Sequence, residues 1–226
     1  MQMERPRVVS HHFGNALEPI GLISEAVWKE CRPRWRQVHG VAVAEVSEAR
    51  QDLGEVDAIW TRVPDLPIAV VTADCVPVLL EHREGTAVAA LHAGWRGTEA
   101  KIIDVFFQNL ACDPAILLEL SHPKNWVARI GPSIRSCCYS VGEDLLERFE
   151  STFREIPRSV LEPLPGKLDL VAVLKSRLIG LGVEIASIHP DCTFCTRIDA
   201  VPKYFSYRRG DRDSRQYSMI SIQSKK

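Results

Sequence analysis

Two short apolar runs, Ile68–Thr72 and Ala87–Leu91, stand out in a chain that otherwise mixes apolar and polar positions every few residues. Both are rich in Val and Ala and bounded by turn formers, so each predicts a buried strand. The same criteria place strands at VAVAEV (41–46), Asp57–Thr61, Trp126–Ile130, Val183–Ile188 and Gln216–Ile222. Val8 and Val9 start another, which His11-His12-Phe13-Gly14 is expected to break. Ser24 caps a short helix through Trp28 and Lys29, and Pro33 stops it. Thr98 is expected to cap a helix through Leu110 whose face carries Ile102, Ile103, Phe106, Phe107 and Leu110. Asp113-Pro114 opens a further short helix, with Asp as N-cap and Pro in the first turn. Glu143–Phe149 and the amphipathic stretch Asp169–Leu181, ended by Gly182, complete the helices. Asp52–Gly54 reads as a turn, Ser121–Asn125 as a polar loop, and Ser151–Lys167 as a proline-punctuated connection. Too little chain follows that connection for a second core, so 1–226 is expected to be a single domain.

Composition narrows the function. The chain has 226 residues, 46% apolar and 25% charged, ordinary for a globular protein with a sizeable core. A net charge of −1, with basic residues concentrated only near Arg197–Arg215, argues against nucleic acid as a partner. No apolar run approaches the roughly 20 residues that span a bilayer, so no membrane is expected. MQMERPRVVSHHFG lacks the apolar core of a signal peptide, which leaves a soluble cytoplasmic protein as the expectation. Seven cysteines are an odd number and do not form a small disulfide framework. About two or three are expected to bind metal or react, and the rest to pack as small apolar residues.

The two opening runs deliver reactive side chains. Asp74 and Cys75 follow the first; His92, Trp95 and Arg96 end or follow the second. His39 precedes Gly40, which is expected to let the backbone turn there. Two His and one Cys suit Zn²⁺ with a fourth position left for water or substrate. The same residues also suit a metal-free site in which a Cys75 thiolate is paired with His39 or His92. Arg96, just before the expected helix, either binds phosphate or carboxylate with the helix N-terminus or pairs with a surface carboxylate. Cys137 and Cys138 cannot point the same way in an extended segment, so at most one faces a site. Cys192-Thr193-Phe194-Cys195 is one CxxC pair, and structural zinc usually needs a second.

QVHG (37–40), TADCVPVLL (72–80), HAGWRG (92–97), GPSIRSCCYSVG (131–142) and FSYRRGD (205–211) together resemble the polyphenol oxidase/laccase-like family. That family includes purine nucleoside phosphorylases with adenosine deaminase activity and peptidoglycan-editing factors. The resemblance runs from about Arg36 to Ile222. It implies an α+β fold, a four-layer α/β/β/α sandwich with mixed sheets, and metal ligands at His39, Cys75 and His92. It further implies phosphorolysis of adenosine, inosine, guanosine and 5′-methylthioadenosine, hydrolytic deamination of adenosine, and zinc as the metal, with copper as the alternative. Asp74 then stands beside the metal as acid/base or orienting group, Arg96 as the phosphate ligand, and Tyr207, Arg208 and Arg209 as pocket walls. Ser214-Arg215 replaces the family's usual Gly-Arg. Three competing functions remain: a copper oxidase of phenols, a hydrolase editing cell-wall precursors, and a non-enzymatic partner of a cell-wall protein. A monomer or homodimer is expected.

Overall fold

A computed structural model describes residues 8–224, so the first seven residues of the N-terminal stretch lie outside the described residues. The strands are β1 (Val9–Phe13), β2 (Arg34–Arg36), β3 (Val43–Glu45), β4 (Asp52–Glu55), β5 (Ala58–Thr61), β6 (Ile68–Thr72), β7 (Val76–His82), β8 (Val88–Ala93), β9 (Trp126–Ile130), β10 (Glu184–Ile188), β11 (Arg197–Ile198), β12 (Val201–Pro202) and β13 (Gln216–Ile222). The helices are α1 (Glu25–Cys31), α2 (Trp95–Glu99), α3 (Ile102–Cys112), α4 (Leu118–Ser121), α5 (Glu143–Thr152), α6 (Arg158–Leu161) and α7 (Leu170–Leu181). Six strands form a mixed sheet in the order β10-β9-β7-β8-β5-β3, and three form an antiparallel sheet, β1-β13-β6. Two small pairs, β2-β4 and β11-β12, lie outside them. Mixed sheets with separate helices make this an α+β protein.

Side-chain alternation explains why the central strands read as continuous apolar runs. In β7 and β8, Val76, Val78, Leu80, Ala89, Leu91 and Ala93 pack with α3, α5 and α7 residues such as Phe106, Phe149 and Leu174. Their alternate neighbours, Leu79, Val88 and Ala90, pack instead on Ile68, Val70, Ile220 and Ile222 of the three-stranded sheet. The far side of that sheet carries Ala69 and Met219 against Trp28 of α1. A strand apolar on both faces shows no period-2 pattern, which is why β7, following Cys75 directly, escapes a reading by periodicity.

Several expectations are corrected by tertiary pairing. His11 and His12 do not break β1: they pair across to Ile220 and Met219 of β13, and the ladder carries the strand through Phe13. Asp52–Gly54 is part of β4, paired in parallel with β2, and Gly54 takes the positive φ of 65° within it. The helix expected from Thr98 is two helices. Gly94, not Thr98, is the N-cap of α2, and Lys101 in a left-handed conformation (φ 60°) separates α2 from α3. The Asp113 carboxylate accepts the Ala115 N–H at 2.8 Å in a turn rather than capping a helix, and α4 begins at Leu118. The proline-rich connection holds the end of α5 and all of α6, and its Phe153, Ile156 and Leu161 are buried in the main apolar cluster.

Between β6 and β7 the chain leaves the three-stranded sheet and enters the six-stranded one through Ala73-Asp74-Cys75. Asp74 makes this corner with φ 100°, a conformation that L-residues rarely adopt.

At the start of α7, Asp169 accepts the Ala172 N–H at 2.9 Å and the Ser136 hydroxyl at 3.1 Å. Replacing this cap, Asp169→Ala, is expected to lower the unfolding free energy by about 1–2 kcal/mol. Urea denaturation checks the value, with Asp169→Asn recovering most of it.

Candidate metal centre and its cleft

His39, Cys75 and His92 come from three places: the loop before β3, the sheet-changing corner, and the end of β8. Their ligand atoms lie within 4.8 Å of one another, with the two imidazole rings 4.8 Å apart at 76°. His92 is buried, Cys75 half-buried and His39 exposed, so the group opens to solvent on the His39 side. The close approach depends on Gly94. A Cβ there would stand 2.8 Å from the His39 ring and 3.1 Å from the Cys75 sulfur. The expectation for Gly40 is revised. His39 itself takes the left-handed conformation, φ 63°, while Gly40 offers its carbonyl where a Cβ on Gly97 would stand 2.9 Å from it.

QVHG is held at both ends. Gln37 acts as a strand substitute on β6: its amide donates to the Val71 carbonyl at 2.7 Å and accepts the Val71 N–H at 2.8 Å. Asp57, buried at 1% exposure, holds the other end. Its carboxylate accepts the N–H groups of Val38 (3.1 Å), His39 (2.9 Å) and Gly40 (2.7 Å). One of the same oxygens lies 2.7 Å from His92 Nδ1. That bond assigns the Nδ1 proton of His92 to Asp57 and leaves Nε2 free to ligate, the usual carboxylate–histidine arrangement behind a metal. The sequence marks Asp57 only as the start of a strand. Its site role follows from the pairing of β5 with β8, which no local motif encodes.

Charge is concentrated here. Burial pushes the Cys75 thiol up, but the facing His92 and His39 outweigh it and bring the thiol down to about 6. Burial pushes His92 down, while Cys75 and Asp57 outweigh that and raise it to about 9. Burial also opposes ionisation of Asp57, yet His92 and the Gly40 and Val38 N–H groups leave its carboxyl below the usual range. Without metal, Cys75 and His92 form a thiolate–imidazolium pair; the two nitrogens and one thiolate equally form a three-ligand set suited to a soft or borderline divalent ion.

The group borders a cleft of about 660 Å³, within the range of small-molecule sites. Asp74, Trp95, Arg96, Tyr207 and Arg208 line it, as do Trp35, Arg36, Tyr139 and Arg215, which the sequence does not single out as pocket walls. Arg96 lies inside the first turn of the five-residue α2, too short for a useful dipole. Its guanidinium stacks 4.4 Å from the Trp95 ring and has no carboxylate partner among the described residues. Arg208 lies over Tyr139 at 5.2 Å and donates to the Ser140 carbonyl at 2.9 Å. Asp74 has both carboxylate oxygens occupied, by the Thr193 hydroxyl (2.6 Å), the Ser206 hydroxyl (3.0 Å) and the Arg208 N–H (2.7 Å). Arg209 does not reach the cleft. Its guanidinium is spent on the carbonyls of Thr193, Phe194 and Tyr204 and on Asp211, so it clamps the loop instead of walling the pocket.

A mixed-sheet α+β scaffold with a His/Cys/His group in an arginine-lined cleft defines the class. Residues 16–223 match the family described as multi-copper polyphenol oxidoreductase laccase, and the chain belongs to that family. It is 35% identical over 199 residues to a purine nucleoside phosphorylase of Pseudomonas aeruginosa, covering 86% of this chain and 76% of that one. An adenosine deaminase, RL5, from an unknown prokaryotic organism is 30% identical over 197 residues, covering 82% and 72%. Among solved structures, the Neisseria meningitidis protein NMB0706 superposes with a TM-score of 0.73 at 30% identity, over 88% of this chain and 79% of that one.

The thiolate is the reactive form, so alkylation of Cys75 in chelator-treated protein is expected to rise with pH through a midpoint near 6. Peptide mass spectrometry against the exposed Cys112 reads it. Asp57→Asn removes the anion that keeps His92 protonated; it is expected to move that midpoint upward and to weaken metal binding about 10- to 100-fold.

Proposed function

We propose that this chain is a metal-dependent purine nucleoside phosphorylase that takes adenosine, inosine, guanosine and 5′-methylthioadenosine, and that it also deaminates adenosine. His39, Cys75 and His92 would hold the metal, and zinc is the ion this donor set suits best. The observation that carries this reading is the three-residue group opening into a nucleoside-sized cleft whose wall holds the Arg96 guanidinium, with no carboxylate partner among the described residues. The relatives' names support the substrate class. Bound there, zinc supplies an open coordination position and Lewis acidity for the attack of water on the purine during deamination.

The chain's own residues supply the rest. Arg96 meets phosphate, joined at the cleft by Arg208 and Arg215. Trp95 and Tyr139 offer aromatic walls for the base. Burial, with the Cys75 charge nearby, pushes the Tyr139 phenol up to about 12, so its Oη–H remains a proton donor to substrate at neutral pH. Asp74 acts as a positioning residue, holding Arg208 and the Thr193 loop through hydrogen bonds already made. In phosphorolysis the glycosidic bond to the base breaks as a phosphate oxygen bonds to the anomeric carbon; the proton of hydrogen phosphate ends on the departing base, and the sugar leaves as its 1-phosphate, ribose 1-phosphate from the unmodified nucleosides.

A second reading is favoured by the low thiol of Cys75 beside His92: a metal-free cysteine hydrolase. A copper oxidase is less well supported. Among the described residues, the two groupings able to hold a metal contain only His39 and His92 as histidines, few for several copper centres.

With inosine, hypoxanthine release is expected to require phosphate and to yield ribose 1-phosphate, and Cys75→Ala to abolish it. Arg96→Ala is expected to raise the KM for phosphate about 10- to 100-fold with a smaller change in kcat. Phosphate-independent release, or turnover that survives chelation but not thiol alkylation, would instead select the hydrolase.

A further inference from the structure

We propose that Cys137, Cys138, Cys192 and Cys195 form a second metal centre, a closed tetrathiolate site holding one zinc ion that ties one wall of the cleft to the loop that supports Asp74. The four sulfurs lie within 4.8 Å of one another and share no residue with the His39–Cys75–His92 group. Cys137 Sγ is 3.6 Å from Cys138 Sγ and 3.9 Å from Cys195 Sγ. Zinc–sulfur bonds of about 2.3 Å in a tetrahedron place sulfurs about 3.8 Å apart. All four thiols are free, at spacings that suit a shared ion.

The backbone is arranged for this. The expectation that only one of the vicinal cysteines could face a site assumes an extended chain. Instead Arg135–Cys138 is a tight turn, with the Cys138 and Tyr139 N–H groups both donating to the Arg135 carbonyl at 2.8 and 2.9 Å. A turn can present adjacent side chains to one side, and it supplies the second pair that the CxxC pair lacks. The two segments are joined by a parallel bridge, Ser133 to Cys192, with the Thr193 N–H donating to the Ser133 carbonyl at 3.0 Å. The Arg135 N–H donates to Cys192 Sγ at 3.4 Å. A donor so placed supports a ligating thiolate from behind.

Four thiolates with no carboxylate select a soft or borderline ion over Mg²⁺ or Ca²⁺, and four protein ligands leave no open position, so the site is structural. On binding, four Zn–S bonds form, the protons of thiols still protonated pass to buffer, and nothing is oxidised. The linked segments matter to the cleft. Ile134 and Tyr139 line it, while Thr193 donates to Asp74 and, with Phe194, receives Arg209.

The test isolates this site by using Cys75→Ser, which removes a ligand of the other one. After desalting, that chain is expected to retain one zinc per chain. Adding Cys137→Ser and Cys195→Ser is expected to remove it. Cobalt exchanged into Cys75→Ser should show intense thiolate-to-cobalt charge-transfer bands with tetrahedral d–d bands. The unmutated chain gives a measurement independent of variant folding: Cys137 and Cys195, although exposed, should alkylate slowly until zinc is stripped by a strong chelator. Alkylation at equal rates with and without chelator, iron in place of zinc, absence of metal and cobalt bands in Cys75→Ser, or a disulfide among these four in anaerobically purified protein would each overturn the proposal. None of these readouts depends on nucleoside turnover, so the two readings fail separately.

Discussion

The Asp57 carboxylate is the interaction on which the rest of the site depends. It is buried, and a buried anion is costly unless fully paired. Here it is paired four times over, by three consecutive N–H groups of the 38–40 loop and by His92. Those bonds hold His39 in a left-handed backbone conformation and orient His92 in one operation. The backbones of Asp57 and His92 also join β5 to β8, since the His92 N–H donates to the Asp57 carbonyl at 2.7 Å. His39, on a loop, is thereby held as firmly as His92 on its strand.

A second carboxylate organises the opposite side. Asp74 sits at the corner where the chain passes from one sheet to the other, and its unusual φ puts Cys75 at the mouth of β7. Its oxygens gather the Thr193 loop and the Ser206–Arg208 segment. The C-terminal third of the chain therefore reaches the cleft through Asp74. Arg209, expected at the pocket, works from behind as a clamp on the same segments. The two aspartates have separate roles, Asp57 positioning the ligand group and Asp74 the walls around it.

The proposed tetrathiolate site would extend this logic. Asp74 already reaches both segments that carry cysteines, accepting the Ile134 N–H at 2.9 Å through its carbonyl and the Thr193 hydroxyl through its carboxylate, and the four sulfurs lie where those segments meet. The chain shares its scaffold with relatives named as enzymes, and the Ser133–Cys192 bridge together with the Asp74 bonds holds the loops around its cleft in register.

Much of this is legible in the sequence. Apolar runs mark β6 and β9 at their observed bounds and most of β8, because a buried strand must be apolar wherever it lies. Ser24, Asp169 and Gly182 mark helix ends, because capping is a local interaction. His39, Cys75 and His92 stand out by residue type, and the family resemblance joins them. Pairing decides the rest. The histidines of β1 are strand residues only because β13 lies beside them, and Asp57 is a site residue only because β5 lies against β8. The four cysteines meet only because a turn and a parallel bridge bring together segments more than fifty residues apart. Local chemistry is written in neighbouring residues; which distant side chains share a charge or an ion is set by strand register and loop closure, and those exist only once the chain has folded.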